Sequence, residues 1–260
     1  MTLSVVLITY NEEANLPRTL ASVKPLVDEL GGDIIVVDSH STDRTREIAA
    51  SFGARVYEED WKGFAAQKNS AIDMAQADWV LLLDADEEVS QQLADELRQV
   101  VAGKALLTEV TPRGYAIPRQ NRFLGAWARH GGFWPDRKLR LFRRGAARIP
   151  DRAVHETPAL IAPGTVGKLR GALIHHAYPT LEIYLEHMRR YAALGGEMLR
   201  DRPRLWLWLN EWLNPPLTFF YNYVLRLGFL DGRPGLLLHF HHARYVHWKY
   251  AHALRMKASA

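Results

Sequence analysis

The chain has 260 residues, 48% of them hydrophobic and 24% charged, which suits one large α/β domain or a domain with a smaller appendage. It has no cysteine, which excludes disulfides, thiolate metal sites and a cysteine nucleophile and fits a reducing compartment. The net charge of +4 is unevenly placed: residues 201–260 hold eight Lys or Arg against three Asp or Glu, whereas residues 1–200 hold 25 against 26.

No charged-then-apolar leader opens the chain, and "MTLSVVLITY" reads directly as a strand, so a cytoplasmic protein is expected. "LSVVLIT" (3–9) is a continuous apolar run of strand length, followed by a helical stretch from about Glu13 to Leu30. "DIIVVDS" (33–39) reads as a second strand. "STDRTREIAASFG" reads as a helix with Ser41 or Thr42 near its N-cap and Gly53 as its stop. "ARVYEE" is a short third strand, "FAAQKNSAIDMAQ" a helix and "WVLLLDA" (79–85) a fourth strand. Continuous apolar strands alternating with helices predict a mostly parallel sheet covered on both faces. Such sheets bind ligands at the carboxyl ends of their strands, where Tyr10 with Asn11, Asp38, and Asp84 with Asp86 all fall.

After Gly103 the alternation weakens. "GGFWPDRKLRLFRRG" mixes turn residues with a predicted strand, "RKLRLFR", whose Lys138 and Arg140 share one face by the two-residue period. Helical patterning returns at "LEIYLEHMRRYAALGGEMLR". The stretch from Leu205 to Leu230 is rich in Trp and Leu, but its longest uncharged run, Trp212–Leu225, has 14 residues. A spanning helix needs roughly 20, so this segment is expected to lie on a membrane or pack in a subdomain. The basic, aromatic character of residues 201–260 points the same way. "HHARYVHWKYAH" has histidines at metal-like spacing without supporting acids and is expected on a helix surface or at an interface.

The acids of "DADEE" need separate accounts. Asp84 and Asp86 end a strand, and two carboxylates at that spacing can hold Mg²⁺ or Mn²⁺ while leaving positions for substrate phosphates. Glu87 and Glu88 lead toward a helix, where negative charge is favourable without any cofactor.

"VVLITYNEEANLPRTLASV", "IIVVDSHSTDRT", "QKNSAIDMAQADWVLLLDADEEV" and "RAVHE", in this order, resemble the GT-A glycosyltransferases of family 2, more closely the bacterial lipopolysaccharide core β-glucosyltransferase subgroup. A weaker likeness continues through "IHHAY" and "GFLDGRPG". The resemblance implies a GT-A domain over residues 1–179, its nucleotide-sugar half at about 1–103 and its acceptor half at about 104–179, with a helical, membrane-interfacial region at 180–260. It implies that Tyr10 and Asp38 hold the nucleotide base, supported by Asn11 and Glu12, that Lys68 faces the donor phosphates, and that Asp84 contacts ribose or a metal-bound water. Asp86 and His175, with His176 as rival, would hold the cation; Glu156 would be the catalytic base, oriented by His155. Gly131, Gly132, Lys138 and Arg140 would line the acceptor or phosphate side. The reaction implied is inverting transfer of a hexose, glucose first, from a UDP-sugar to a lipid-anchored saccharide. It would take place peripherally at the inner face of the bacterial inner membrane, without nucleic acid as partner. A polyprenyl-phosphate acceptor on the same fold, and a non-catalytic module that binds membranes or nucleic acid, are the other readings open to the sequence.

Overall fold

The structure, a computed structural model, describes residues 1–104, 112–150 and 157–258. It divides into two compact units, Met1–Arg119 with Arg137–His175, and Gln120–Asp136 with His176–Ala260. The second unit therefore takes in residues 120–136 besides the C-terminal helices.

In the first unit, β1 (Leu3–Thr9), β2 (Asp33–Asp38), β3 (Arg55–Glu58) and β4 (Trp79–Leu82) are parallel, interleaved with α1 (Leu16–Leu30), α2 (Thr45–Ser51) and α3 (Phe64–Asp73). Next come β5 (Glu87–Val89), α4 (Gln91–Val101), β6 (Gly114–Phe123), β7 (Ala126–Trp127), β8 (Asp136–Arg143), β9 (Ala147–Arg148), β10 (Ala159–Leu160), β11 (Val166–Lys168) and β12 (Leu173–Tyr178). The main sheet runs β3-β2-β1-β4-β8-β6-β12-β5. Its first four strands are parallel as expected, whereas β8 against β4 and β12 against β5 are antiparallel.

The apolar runs are continuous because each strand feeds two layers. Val5 and Leu7 of β1 pack with Leu16, Leu20 and Val23 of α1. Val6, between them, joins Val37, Val80, Leu82 and the α3 residues Ala71 and Ile72 on the other face. Leu30 is followed by Gly31 in the left-handed region at φ 61°, the usual helix stop.

Two predicted helix starts move, for local reasons. Residues before Leu16 form a turn in which the Glu12 carbonyl accepts from the N–H groups of Asn15 and Leu16. α2 begins at Thr45 and not at Ser41 or Thr42, because Ser41 is bonded to Asp38 and the Thr42 N–H donates to Asn11. Asp43 Oδ1 instead accepts from the Thr45 N–H.

The antiparallel side is pinned from α4. Ser90 caps that helix by accepting from the Leu93 N–H. The Ser90 N–H donates to the Ala172 carbonyl, and the Ala172 N–H donates to Ser90 Oγ. Glu96 Oε2 accepts from the N–H groups of Arg170 and Gly171. Gly171 is needed there: a Cβ would stand 2.3 Å from the Leu93 nitrogen.

The second unit holds α5 (Leu181–Glu197), α6 (Arg204–Phe219), a π-helical turn (Phe220–Leu225), a 3₁₀ turn (Gly228–Asp231) and α7 (Gly232–Ala258). Phe123, Tyr184 and Leu238 form one core of this unit, and Leu207, Val246, Tyr250 and Ala253 another. In "HHARYVHWKYAH", expected on a helix surface or at an interface, His241, Val246 and Tyr250 are buried, because α7 packs against both α5 and α6. Among the described residues, no helix is long and apolar enough to cross a membrane.

Candidate active site

Parallel pairing brings Thr9 opposite Asp38 and Val6 opposite Leu82, so the carboxyl ends of β1, β2 and β4 lie side by side. Past β4 the chain makes a tight turn, closed from both sides. The Glu87 N–H donates to the Asp84 carbonyl, and the Asp84 N–H donates to Glu87 Oε2 at 3.1 Å. Thr19 of α1 donates its hydroxyl to the Ala85 carbonyl at 2.6 Å, fastening the turn to the helix layer.

Asp84 sits between two cations. Lys68 Nζ, from α3, donates to Oδ1 at 2.6 Å, and Arg140 Nη2, from β8, donates to Oδ2 at 2.5 Å. The same Arg140 nitrogen donates to Glu87 Oε1 at 2.7 Å, and Arg119 Nη1 lies 3.8 Å from that oxygen. Burial alone would raise the Asp84 carboxyl, but Arg140 and Lys68 outweigh it and hold it well below the usual carboxylate range. Burial pulls Arg140 toward losing its proton, and Asp84 and Glu87 reverse this, so its pKa lies above the ordinary value.

This arrangement revises one expectation, that for Glu87. Arg140 bonds Asp84 and the buried Glu87, and Lys68 bonds Asp84. Glu87 is no solvated acid at a helix start: it lies in β5, is fully buried, and is bound by Arg140. Lys138 lies half-buried on β8, two residues before Arg140.

Asp86 differs from Asp84. It differs in its partner and not in its exposure, which is 25% for both: Asp86 Oδ2 lies 3.1 Å from Nε2 of His175, itself 14% exposed. Burial would raise the Asp86 carboxyl, but His175 outweighs it and the net shift is downward. β12 pairs antiparallel with β5 and sets His175 opposite Glu87, which carries its ring to the turn. Neighbouring strand residues point to opposite faces, so His175, not His176, meets Asp86. Among the described residues no group of three His, Asp or Glu could hold a metal. Asp86 and His175 nevertheless form a hard O/N donor pair with accessible edges, and Mg²⁺ is commonly bound through one or two carboxylates plus substrate phosphates and water. The donor set therefore fits a divalent cation shared with an anionic ligand, while each Asp84 oxygen is held by a cationic side chain.

Tyr10 is 59% exposed at the end of β1. Asn11 follows in the left-handed region at φ 54°, its Oδ1 accepting from the Thr42 N–H. Glu12 accepts from Asn15 Nδ2 at 2.9 Å, and burial, with Asp86, Asp43 and Asp84 adding, raises its carboxyl. Asp38 is fully buried, and its oxygens accept from Thr9 Oγ1, Ser41 N–H and Ser41 Oγ at 2.6–2.7 Å. It thus ties the end of β1 to the turn after β2.

Gly131 and Gly132 belong to the second unit and have packing reasons of their own. A Cβ on Gly131 would stand 1.9 Å from the His239 ring, and one on Gly132 would stand 2.1 Å from Arg226 Nη1. The candidate base Glu156 and its neighbour His155 lie outside the described residues. Glu87 and Arg119 are the site residues the sequence reading missed. The available signal for Glu87 was its three-residue spacing from Asp84; nothing local in the sequence marks Arg119.

Comparisons with known proteins converge on one family. The profile of glycosyl transferase family 2 matches residues 4–143, more than half of the chain. The lipopolysaccharide core biosynthesis glycosyltransferase LpsC of Rhizobium meliloti is 29% identical over 88% of this chain and 82% of its own length. An uncharacterized glycosyltransferase of Rickettsia typhi is 47% identical over 100 residues, 38% of this chain. The chain matches about a third of the length of that relative, 33%. Among solved structures, residues 1–349 of S. aureus TarS are 16% identical over 100% of this chain and 92% of theirs, with a TM-score of 0.47. Glucosyl-3-phosphoglycerate synthase from Mycobacterium tuberculosis, in complex with Mn²⁺, UDP and glucosyl-3-phosphoglycerate, is 29% identical over 46% of this chain and 44% of its own. Its TM-score is 0.37.

Proposed function

The chain belongs to glycosyl transferase family 2, and from that premise we propose that it transfers a hexose, glucose in our reading, from a UDP-sugar to the core oligosaccharide of a lipopolysaccharide-type glycolipid. The observation that carries the donor half is the pairing of Asp86 with His175 beside an Asp84 already neutralised by Lys68 and Arg140. The acceptor class is supported by the likeness to the Rhizobium meliloti enzyme over most of the chain.

In this reading Tyr10 offers an exposed ring for the uracil, and Asn11 and Glu12 hold that corner in shape. Asp86 and His175 would hold Mg²⁺ or Mn²⁺. Such a cation, when bound, supplies charge stabilisation for the departing diphosphate. Lys68 and Arg140 keep Asp84 ionised and fixed for a hydroxyl of the donor. Glu156 is proposed as the base. The acceptor oxygen attacks the anomeric carbon, its proton passes to the Glu156 carboxylate, and the bond from that carbon to the diphosphate oxygen breaks with inversion. A lipid-borne acceptor places the reaction peripherally, at the inner face of the bacterial inner membrane.

The test is Asp86→Asn. UDP release from UDP-glucose in the presence of core acceptor should require added Mn²⁺ or Mg²⁺ in the wild type and fall about a hundredfold or more in the variant, the scale of losing a preorganised charge-stabilising group. Full metal-dependent turnover in Asp86→Asn would remove the assignment.

A further inference from the structure

α6 and the π-helical turn after it are built inside out. The row turned toward the second unit contains Leu207 but also Asn210, Glu211, Asn214, Thr218 and Asn222, all buried or half-buried. Three of these inward polar groups have partners: Asn214 Nδ2 donates to Asn210 Oδ1 and to Tyr250 Oη, both within 2.8 Å, and Glu211 lies 3.7 Å from His247. The opposite row is apolar along its whole length. Trp208, Trp212, Leu213, Leu217, Phe220 and Leu225 are each 52–61% exposed. Water-soluble helices point such a stripe at a core, so this one lacks its apolar partner.

The surroundings identify the partner. Arg200, Arg202 and Arg204 stand exposed at the N-terminal end of α6, and Arg226 stands exposed just past the π-helical turn. Arg202 lies 5.4 Å from the centroid of the Trp206 ring and Arg226 lies 5.0 Å from that of Tyr221, so cations frame the stripe at both ends. The acids of this stretch do not cancel them: Asp231 is nearly buried against His130, and Glu211 faces inward, which leaves Asp201 as the exposed exception. Two copies meeting through this face would bring like-charged rims together, which disfavours a self-complementary dimer. An anionic lipid surface accepts both the Trp-rich stripe and its arginine frame. No described helix can cross the bilayer, and α6 at about 24 Å is shorter than a typical hydrocarbon core.

We propose that the outward face of α6 and the π-helical turn docks flat into the surface of an anionic bilayer, Trp208 and Trp212 seated at the headgroup boundary. The location rests on the helix geometry; the choice of lipid rests on the lipid-borne acceptor proposed above.

The experiment is flotation of the full chain with vesicles of phosphatidylethanolamine and phosphatidylglycerol, and with phosphatidylcholine alone. The wild type should float with the anionic vesicles and lose binding as salt rises. The variant Trp212→Glu with Leu217→Glu should bind about tenfold or more weakly, with unchanged circular dichroism. Wild-type binding that the variant retains, or no wild-type binding, overturns the proposal. So does a wild-type dimer that the same substitutions dissociate while vesicles are ignored. Should the charged variant misfold, Trp208→Phe with Trp212→Phe decides: lipids brominated near the headgroup should quench wild-type fluorescence and leave this variant largely unquenched, and equal quenching overturns the proposal. UDP release with acceptor dispersed in detergent reads the transfer reaction separately. Vesicle binding without turnover defeats the functional reading alone, and turnover without vesicle binding defeats the docking alone.

Discussion

Arg140→Met is the most informative single change. Arg140 is 4% exposed and bridges Asp84 and the fully buried Glu87. Removing one member of a buried ion pair costs about 3–5 kcal/mol, because the remaining charge keeps its desolvation penalty. Here Asp84 would retain Lys68 at 2.6 Å and Glu87 would retain Arg119 at 3.8 Å, which places the expected loss near the lower bound, about 3 kcal/mol. Urea unfolding followed by circular dichroism measures it, with the slope checked for a change in the extent of unfolding. The companion is the double variant Arg140→Met with Glu87→Gln, in which no carboxylate is stranded at position 87. Its cost should fall below the sum of the two single costs by about 1–3 kcal/mol, as for residues in one network. A loss under about 1 kcal/mol for Arg140→Met, the value of an exposed pair, would refute the reasoning, and so would simple additivity.

Acid should weaken the two units in sequence. Burial, with His239 and Lys249 adding, depresses His242 from 6.5 to about 4, so between those values the unfolded chain binds a proton that the folded chain refuses. Stability of the second unit should therefore fall by up to about 3 kcal/mol from pH 6.5 to 4, read from melting temperatures across that range. Asp84 and Asp86 are depressed carboxyls; their contribution is complete above the ordinary value of 3.8 and is lost below it, so the first unit should weaken later. Gly131→Ala combines a left-handed backbone, φ 68°, with a 1.9 Å approach to the His239 ring, and should destabilise by about 2 kcal/mol or more in thermal melts. Gly31→Ala, at φ 61° with open space around its Cβ, should cost only about 1 kcal/mol of backbone strain.

The parallel half of the fold was legible because its evidence is local. "LSVVLIT", "DIIVVDS" and "WVLLLDA" each hold an unbroken apolar run of four or five residues, the pattern of strands covered on both faces. Asp86 was legible for a similar reason: its place two residues past Asp84 and just beyond a strand is a statement about a few neighbouring positions. The partners of Asp84 were not. Arg140 is 56 residues away in sequence, and its face was readable while its target was not. Glu87 looked like a helix-start acid because nothing near it announces β5, a three-residue strand that exists only through pairing with β12. Asp38 was read correctly as a strand-end carboxylate, but its engagement by Thr9 and Ser41 depends on a turn whose hydrogen bonds compete with helix initiation. The inverted polarity of α6 was equally hidden, since a Trp-rich run carries no sign of which side faces the protein.

Which of two adjacent imidazoles serves Asp86 is decided away from the turn itself. β12 enters its ladder with Ala172 held by Ser90 and the two preceding N–H groups held by Glu96, so α4 acts as a stop against which the strand is seated. A slip by one residue would exchange the faces of the whole strand and present His176 in place of His175. Ser90 and Glu96 thus work as an index mark for a histidine neither of them touches. Loosening either should produce a mixture of chains with a correct or a transposed histidine, a chemical heterogeneity arising from an intact composition.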